Sequence, residues 1–208
     1  MIAIIDYDAG NLTSVARAVT FLGFPCKVTG NSTEIERSER IIFPGVGAAG
    51  SAMQSLKRKG LDNVIASQFR KGKPVLGICL GTQIIMSHSD ENQVACLGLI
   101  DGSVRAFSST IPSAGDKRLK IPHMGWNRVH IQNRHPLLEG VDPAAEFYFV
   151  HSYYPNPADP ADIIATTHYG ISFASVIGSK NLVATQFHPE KSGKPGLTIL
   201  ENFCRWKP

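Results

Sequence analysis

The chain has 208 residues, of which 43% are hydrophobic and 18% charged, and its formal net charge is +4. At ~150 residues per domain, this length indicates one compact domain, which we expect to span residues 1–208. The 19 Gly and 13 Pro residues together fall short of the ~25–30% typical of low-complexity chains, which excludes disordered and fibrous proteins. The basic residues are scattered, so we expect no nucleic acid among the partners.

The sequence has no pattern typical of a membrane-spanning or exported protein. Its longest apolar runs, such as residues 2–5, are far shorter than the ~18 residues of a membrane span. Asp6 and Asp8 interrupt the N-terminus, where a signal peptide would be apolar. We therefore predict a cytoplasmic protein that does not contact a membrane.

The cysteines do not form a pattern typical of metal or disulfide sites. They are Cys26, Cys79, Cys96 and Cys204. None belongs to a Cys-x-x-Cys pair, which would suggest a zinc site or a redox dithiol. In a cytoplasmic chain of this length we expect free thiols, no metal and no cofactor. Each cysteine is then either a small core residue or a nucleophile.

The first half of the chain alternates apolar strands with helical patterns. Residues 2–5 form a continuous apolar run, which is typical of a strand buried on both faces. Asn11 can cap a helix that continues to Leu22, and a second strand ends by Val28. Further strands at 41–43 and 74–78 alternate with helices that extend to Leu56, over 64–69 and over 80–87. This alternation predicts an α/β fold with an open, mostly parallel central sheet and helices on both faces.

The second half has a different pattern. Residues 94–131 and 146–186 contain short runs rich in Val, Ile, Phe and Tyr, broken by Gly, Pro and Asn. Such runs predict an added antiparallel β region. We interpret residues 155–160 as a loop and residues 197–206 as a closing helix.

Cys79 lies where an apolar strand turns into a helix, with a glycine two residues away on each side. This Gly-x-Cys-x-Gly pattern is a nucleophile elbow with cysteine in place of serine. The flanking glycines permit a tight turn, and the helix N-terminus favours a thiolate and offers the Leu80 N–H to a developing oxyanion. The alternative is a small buried thiol.

His188 and Glu190 supply a base and its orienting group. Pro189 favours an extended backbone at His188, and residues two apart in an extended segment face the same way. Glu190 can therefore hold one imidazole nitrogen while the other faces Cys79. On its own the His-x-Glu pattern is equally consistent with a surface pair, but next to an elbow it completes a triad.

The loop Pro44-Gly45-Val46-Gly47 follows a strand and is rich in glycine. It can turn a backbone N–H toward the nucleophile and complete an oxyanion hole with Leu80. The alternative, a phosphate cradle, lacks both the Gly-Lys-Ser/Thr and the Gly-x-Gly-x-x-Gly spacing. Acyl transfer fits the pattern better.

These three motifs, Gly77-Ile-Cys79-Leu-Gly81-Thr-Gln83, Gln186-Phe-His188-Pro-Glu190-Lys191 and Pro44-Gly-Val-Gly47, together resemble the class I, triad-type glutamine amidotransferases. The resemblance spans nearly the whole chain. More narrowly, Asn11-Leu, Pro122-His-Met-Gly-Trp-Asn127 and Phe149-Val-His-Ser-Tyr153 resemble the glutaminase subunits of imidazole glycerol phosphate synthases, of histidine biosynthesis.

The resemblance implies that Cys79 attacks the side-chain amide of glutamine, His188 transfers protons and Glu190 orients His188. It also implies an oxyanion hole and a set of glutamine-binding residues. The oxyanion hole would comprise Val46, Gly47 and Leu80. The glutamine-binding residues would be Gly45, Gln83, Ser152 and Tyr153.

The resemblance further implies a heterodimer with a cyclase subunit, a (β/α)₈ barrel that uses the ammonia and controls the orientation of the glycine loop. The residues that match partner-facing positions are Asn11, Trp126, Tyr148 and Lys191; each is equally consistent with a solvated charge or ordinary packing. Three positions depart from the family pattern: Asp8 in place of Gly, Thr82 in place of Met and Ser152 in place of Thr. None belongs to the triad.

Other functions remain open from the sequence alone. The chain could serve a different synthase, act as a stand-alone amidase or γ-glutamyl hydrolase, or be a catalytically silent regulatory module. A thiol redox sensor is a further alternative, although no resolving cysteine lies near Cys79 in the sequence.

Overall fold

The computed structural model describes residues 1–8, 10–107 and 119–208, so the part of the predicted antiparallel region at 108–118 lies outside the described residues. The first half of the chain contains β1 (Ile2–Ile5), α1 (Leu12–Phe21), β2 (Cys26–Thr29), α2 (Ser32–Arg37), β3 (Arg40–Gly45), α3 (Ala49–Lys59), α4 (Leu61–Arg70), β4 (Val75–Cys79) and α5 (Leu80–Ile84). The second half contains β5 (His88–Ser89), β6 (Val94–Ala95), β7 (Gly102–Ala106), β8 (His123–Arg128), β9 (His130–Ile131), β10 (Glu146–His151), β11 (Tyr153–Pro157), β12 (Ile163–Tyr169), β13 (Ile171–Ser179), β14 (Leu182–Thr185) and α6 (Gly193–Arg205). Short 3₁₀ turns cover Glu91–Gln93, Pro136–Leu138, Pro160–Asp162 and Pro189–Lys191.

The central sheet has eight strands in the order β2-β1-β3-β4-β14-β13-β12-β9. The first five strands in this order, β2-β1-β3-β4-β14, pair in parallel. The strands β13, β12 and β9 extend the sheet with antiparallel pairs. Two smaller sheets lie beside it: an antiparallel pair of β10 and β8, and a four-stranded sheet in the order β11-β7-β5-β6. The predicted α/β fold class, with its added antiparallel region, is confirmed.

Helices cover both faces of the central sheet, because side chains alternate along each buried strand. In β1, Ile2 and Ile4 belong to one core, which also includes α1 and α6. Ala3 and Ile5 point into a second core, to which α3 and α4 contribute. The carboxyl ends of β3 and β4 meet between these layers, and their register places Gly45 opposite Cys79.

Several predicted boundaries were wrong. The helix after Cys79 ends at Ile84 and not at residue 87, because the backbone N–H groups of the segment 97–100 bond to the carbonyls of residues 84–86. The closing helix begins earlier, at Gly193. The strand β14 lies in the region predicted to be antiparallel, but it pairs in parallel with β4.

The predicted loop at 155–160 was also partly wrong, because Tyr153–Pro157 forms strand β11. Among the described strands, this one pairs with β7 alone and lies at the edge of its sheet, and an edge strand tolerates prolines. The short helix α2 was not predicted. Within the described parts of the chain, every helix is too short or too polar to cross a membrane.

Candidate active site

Cys79 occupies a strained turn between β4 and α5. Its backbone has φ 56° and ψ −106°, a region that side-chain-bearing residues rarely adopt and that is frequent at functional sites. The flanking glycines are required by close packing: a Cβ on Gly81 would collide with the Phe43 carbonyl, and one on Gly77 would lie 2.9 Å from the Ala184 Cβ. The predicted elbow is therefore present, with its thiol at the carboxyl edge of the sheet.

His188 and Glu190 form a buried pair, with an Nδ1 to Oε1 distance of 2.9 Å and side chains only 2% and 1% exposed. The predicted geometry was partly wrong. His188 is extended, but Glu190 lies in the 3₁₀ turn Pro189–Lys191 and not in an extended segment. The turn still directs the carboxylate to the imidazole, so the pairing does not depend on the extended spacing.

The backbone of His188 is tied to β10 from both sides. Its N–H donates to the Tyr148 carbonyl at 2.9 Å. Its carbonyl accepts from the Ser192 hydroxyl at 2.6 Å, and that hydroxyl in turn accepts from the Tyr148 N–H at 3.0 Å. The imidazole is thereby fixed over the site.

The charge state of His188 depends on its neighbours. Burial alone lowers the pKa of His188, but the adjacent Cys79 sulfur in its ionised form and the Glu190 carboxylate favour the imidazolium and raise the pKa to about 10. The Nε2 atom is buried and has no hydrogen-bond partner among the described residues. It is the ring nitrogen that remains available to exchange a proton at Cys79.

A cavity of about 410 Å³ opens beside Cys79 and His188. It brings together most of the residues predicted from the sequence. Its lining includes Val46, Gly47, Leu80, Gln83, Ser152 and Tyr153. Gly45 is buried beside Cys79 in the neighbouring strand, and Glu190 lies behind His188.

The glycine loop, residues 44–47, has a backbone conformation that favours glycine. Gly47 has φ 103°, a value that favours glycine, and Val46 is exposed. Beneath the loop, a Cβ on Gly45 would collide with the Tyr7 hydroxyl, which is buried without a partner among the described residues. Burial, with the nearby Cys79, raises the pKa of Tyr7 far above its usual value.

Gln186 and Glu91 are among the polar residues of the site that were not assigned from the sequence. The buried Gln186 places its Nε2 atom 3.9 Å from the Cys79 sulfur and accepts from Gln83 Nε2 at 3.2 Å. Glu91 lines the cavity while its Oε2 accepts from the Ala49 N–H at 2.7 Å. Gln186 stands inside the quoted motif and could have been noticed there, whereas nothing in the sequence around Glu91 marks it.

Three of the four predicted partner-facing residues lie together near the site. Trp126, 55% exposed, packs edge-on against Tyr148 with ring centroids 6.1 Å apart. Lys191 Nζ lies 5.9 Å from the centroid of the Tyr148 ring. Asn11 occupies the N-cap position of α1, but its side chain accepts from the Ser14 hydroxyl and does not cap a backbone N–H.

Comparisons with known proteins identify the family of this chain. The family profile described as glutamine amidotransferase class-I matches residues 3–206. A protein of Nitratidesulfovibrio vulgaris strain DP4 named imidazole glycerol phosphate synthase subunit HisH is 49% identical to this chain, over 99% of this chain and 96% of its own length. The protein of the same name from Methylococcus capsulatus is 46% identical over 100% and 97%.

The solved structures support the fold. The structure of PurLQS from Thermotoga maritima is similar with a TM-score of 0.75 at 17% identity, over 98% of this chain and 97% of that one. A glutamine amidotransferase crystal structure gives a TM-score of 0.72 at 16% identity, over 98% and 100%. Because the family profile and the sequence relatives match nearly the whole chain, the chain belongs to the class-I glutamine amidotransferase family and, within it, to the HisH subunits of imidazole glycerol phosphate synthase.

Proposed function

We propose that this chain hydrolyses glutamine through a thioester on Cys79 and delivers the ammonia to a cyclase subunit. The chain is a glutamine amidotransferase by family. The observation that carries the residue assignment is that Cys79 and His188 line one cavity while Glu190 holds His188 from behind. With the ammonia, the cyclase makes imidazole glycerol phosphate and aminoimidazole carboxamide ribonucleotide in the cytoplasm.

Each chemical step uses groups of the site. The proton of the Cys79 thiol resides on His188 Nε2 as the sulfur forms a bond to the amide carbon of glutamine. When the carbon–nitrogen bond breaks, the imidazolium returns that proton to the leaving ammonia and a thioester remains. Water, deprotonated by His188, then attacks the thioester, so that glutamate leaves and the thiol is restored. Glu190 fixes the imidazole orientation and stabilises its charge.

The cavity offers groups for the developing oxyanion and for both ends of the substrate. The Leu80 N–H belongs to the first turn of α5, where backbone N–H groups have no helical partner, and the Val46–Gly47 loop supplies the second donor. Gln83, Ser152, Tyr153 and Gly45 would bind the amino-acid end of glutamine. Glu91, a carboxylate in the cavity lining, suits the α-ammonium group.

For the partner, we propose a barrel-shaped (β/α)₈ cyclase bound at the surface around Trp126, Tyr148, Lys191 and Asn11. Trp126 and Lys191 both contact Tyr148, and Tyr148 also contacts the His188 ring, with centroids 6.5 Å apart. A partner bound at this surface would therefore act on the catalytic His188 through Tyr148.

The first experiment compares Cys79→Ala with Cys96→Ala, a control at a half-buried thiol. Ammonia release from glutamine is measured with and without the cyclase. We expect Cys79→Ala to lose at least ~10³-fold of the glutaminase activity and to keep synthesis from added ammonium salt, whereas Cys96→Ala keeps both activities.

Three outcomes would contradict the proposal. Glutamine hydrolysis retained by Cys79→Ala would exclude the triad. High turnover of the isolated chain, unchanged by the cyclase, would indicate a stand-alone amidase. No alkylation of Cys79 by an electrophilic glutamine analogue, even with the cyclase bound, would indicate a silent module.

A further inference from the structure

A chain of hydrogen bonds runs through the protein from β8 to the cavity wall. Asn127 Nδ2 lies 3.2 Å from His123 Nε2, and His123 Nδ1 lies 2.9 Å from His151 Nε2. His151 Nδ1 then lies 2.8 Å from the Tyr153 carbonyl. Both histidines are buried, and the triad does not use either of them.

The groups at the two ends of this series of hydrogen bonds determine the direction of each hydrogen bond. A carbonyl only accepts, so His151 Nδ1 carries a proton and donates to Tyr153. At the other end, the Asn127 oxygen accepts from the Arg128 N–H at 2.8 Å, while its Nδ2 also donates to the His168 carbonyl at 3.0 Å. The Asn127 amide is thereby oriented by backbone groups, and Nδ2 donates its second hydrogen to His123 Nε2.

Both imidazoles between these ends are neutral. Burial lowers the pKa of His123 to about 4 and that of His151 to about 3, the latter although its bond to Tyr153 opposes the shift. A neutral imidazole has one donor and one acceptor. Since His123 Nε2 accepts from Asn127, its Nδ1 donates to His151 Nε2, and all three bonds run toward the cavity.

The series of hydrogen bonds ends at a wall of the proposed glutamine site. The Tyr153 carbonyl that accepts from His151 also accepts from Gln83 Nε2 at 3.0 Å. His151, Ser152 and Tyr153 all line the cavity with Cys79 and His188. The position of this carbonyl therefore depends on two side chains, and one of them depends on His123.

The ring of His123 has little freedom to turn away from His151. It is stacked between Tyr169 and Phe149, with ring centroids 4.0 and 4.8 Å away and interplanar angles of 27° in both cases. The stack determines the plane of the ring, and Asn127 and His151 determine its rotation within that plane.

We propose that His123 is a positioning residue for glutamine hydrolysis: it donates to His151 and so fixes the His151 ring and the Tyr153 carbonyl in the substrate cavity. This inference rests on the proposed function, because the cavity must be the glutamine site. His123 itself does not line the cavity and acts through His151.

The test uses two substitutions that separate packing from hydrogen bonding, both measured as the complex with the cyclase. His123→Phe keeps the aromatic stack and removes the donor to His151. His123→Asn removes the ring but places an amide N–H near the former Nδ1. Leaving His151 Nε2 without a donor should raise the KM for glutamine by roughly 10-fold with a smaller change in kcat, and the Asn variant should recover most of this loss.

A purely structural role predicts the opposite order. The Phe variant would then have a wild-type KM, because it packs well, and the Asn variant would be the worse of the two; this result would overturn the proposal. Failure of the proposed function is distinguishable, because in that case the wild-type complex itself would not hydrolyse glutamine, or Cys79→Ala would still do so.

A measurement on the unmodified chain gives a second test that does not depend on the variants folding. Long-range proton–nitrogen correlation spectra report which imidazole nitrogen carries the proton. We expect His151 and His123 both to be protonated at Nδ1 alone at neutral pH. A proton on Nε2 of either ring would reverse the bonds and refute the assignment.

Discussion

Two buried histidine sites lie beside the same cavity and differ in charge. His188 is 2% exposed and its pKa is raised to about 10, whereas His151 is 5% exposed and its pKa is lowered to about 3. Burial opposes the charged form in both cases. The difference lies in the partners: His188 faces a carboxylate and a thiol, and His151 faces a backbone carbonyl and a neutral imidazole.

Burial therefore disfavours the charged form of both rings, and the hydrogen-bond partner determines whether the ring is charged. A carboxylate favours the imidazolium, so His188 can hold a proton that it later returns to ammonia. A neutral chain of donors and acceptors favours the uncharged ring, so His151 does not place a second cation next to His188. One cavity thus contains a histidine suited to proton transfer and another suited to fixed geometry.

The largest expected effect comes from removing the carboxylate that distinguishes His188. In Glu190→Gln the partner of Nδ1 becomes a neutral amide, and kcat for glutamine should fall by ~10²–10⁴-fold, as for other triads whose acid is replaced by its amide. The measurement is glutaminase activity of the cyclase complex at saturating glutamine. Synthesis from added ammonia serves as the control and should not change. A kcat within a factor of three of wild type would mean that Glu190 does not orient the base.

A smaller effect is expected on stability in acid. The folded-state pKa of His123 is about 4, below the ~6.5 of an unfolded chain, so its contribution is complete above pH 6.5 and is lost as the pH falls toward 4. Unfolding in urea should show a loss of up to roughly 3 kcal/mol from this residue between pH 7 and 4. His123→Phe should lose less stability over this range than wild type, because its side chain does not titrate. Equal losses would show that His123 is not held neutral.

His188 should contribute with the opposite sign. Its raised pKa stabilises the fold fully below pH 6.5, and this stabilisation is lost as the pH rises toward 10. In the same urea experiment, Glu190→Gln should therefore reduce the loss of stability on the alkaline side of the profile.

The smallest expected effect comes from placing a carboxylate beside His123, as Glu190 lies beside His188. In Asn127→Asp a carboxylate faces His123 Nε2, and the pKa of His123 should rise by ~1–3 units. The pKa is measured by NMR titration of the ring. Asn133→Asp is the matched control, because the Asn133 side chain donates to the Ile163 carbonyl and forms no hydrogen bond with a histidine of the described residues. An unchanged pKa in Asn127→Asp would contradict the rule that the partner decides the charge.

The sequence predicted the catalytic centre better than its surroundings, for a physical reason. The elbow depends on Gly77, Cys79 and Gly81, and the acid–base pair on His188 and Glu190, so each part is encoded within a few residues. Even so, the pairing arises from a 3₁₀ turn that the spacing did not predict.

Features formed by distant segments were not predictable in this way. The early end of α5 depends on backbone bonds from residues 97–100. The pair of His123 and His151 joins positions 28 residues apart, and Gln186 reaches Cys79 from 107 residues away. No local pattern marks such contacts, because they follow from how the strands are arranged in the folded sheet.

The prolines of β11 have a consequence for how the protein behaves at high concentration. The Tyr153 carbonyl bonds to Gln83 and His151 and not to β7, so alternate residues of β11, namely Pro155 and Pro157, also turn their backbones away from β7. At these two positions the outer edge of the strand has no N–H to offer. A strand of another molecule cannot complete a regular ladder there, which protects this edge from strand-to-strand aggregation.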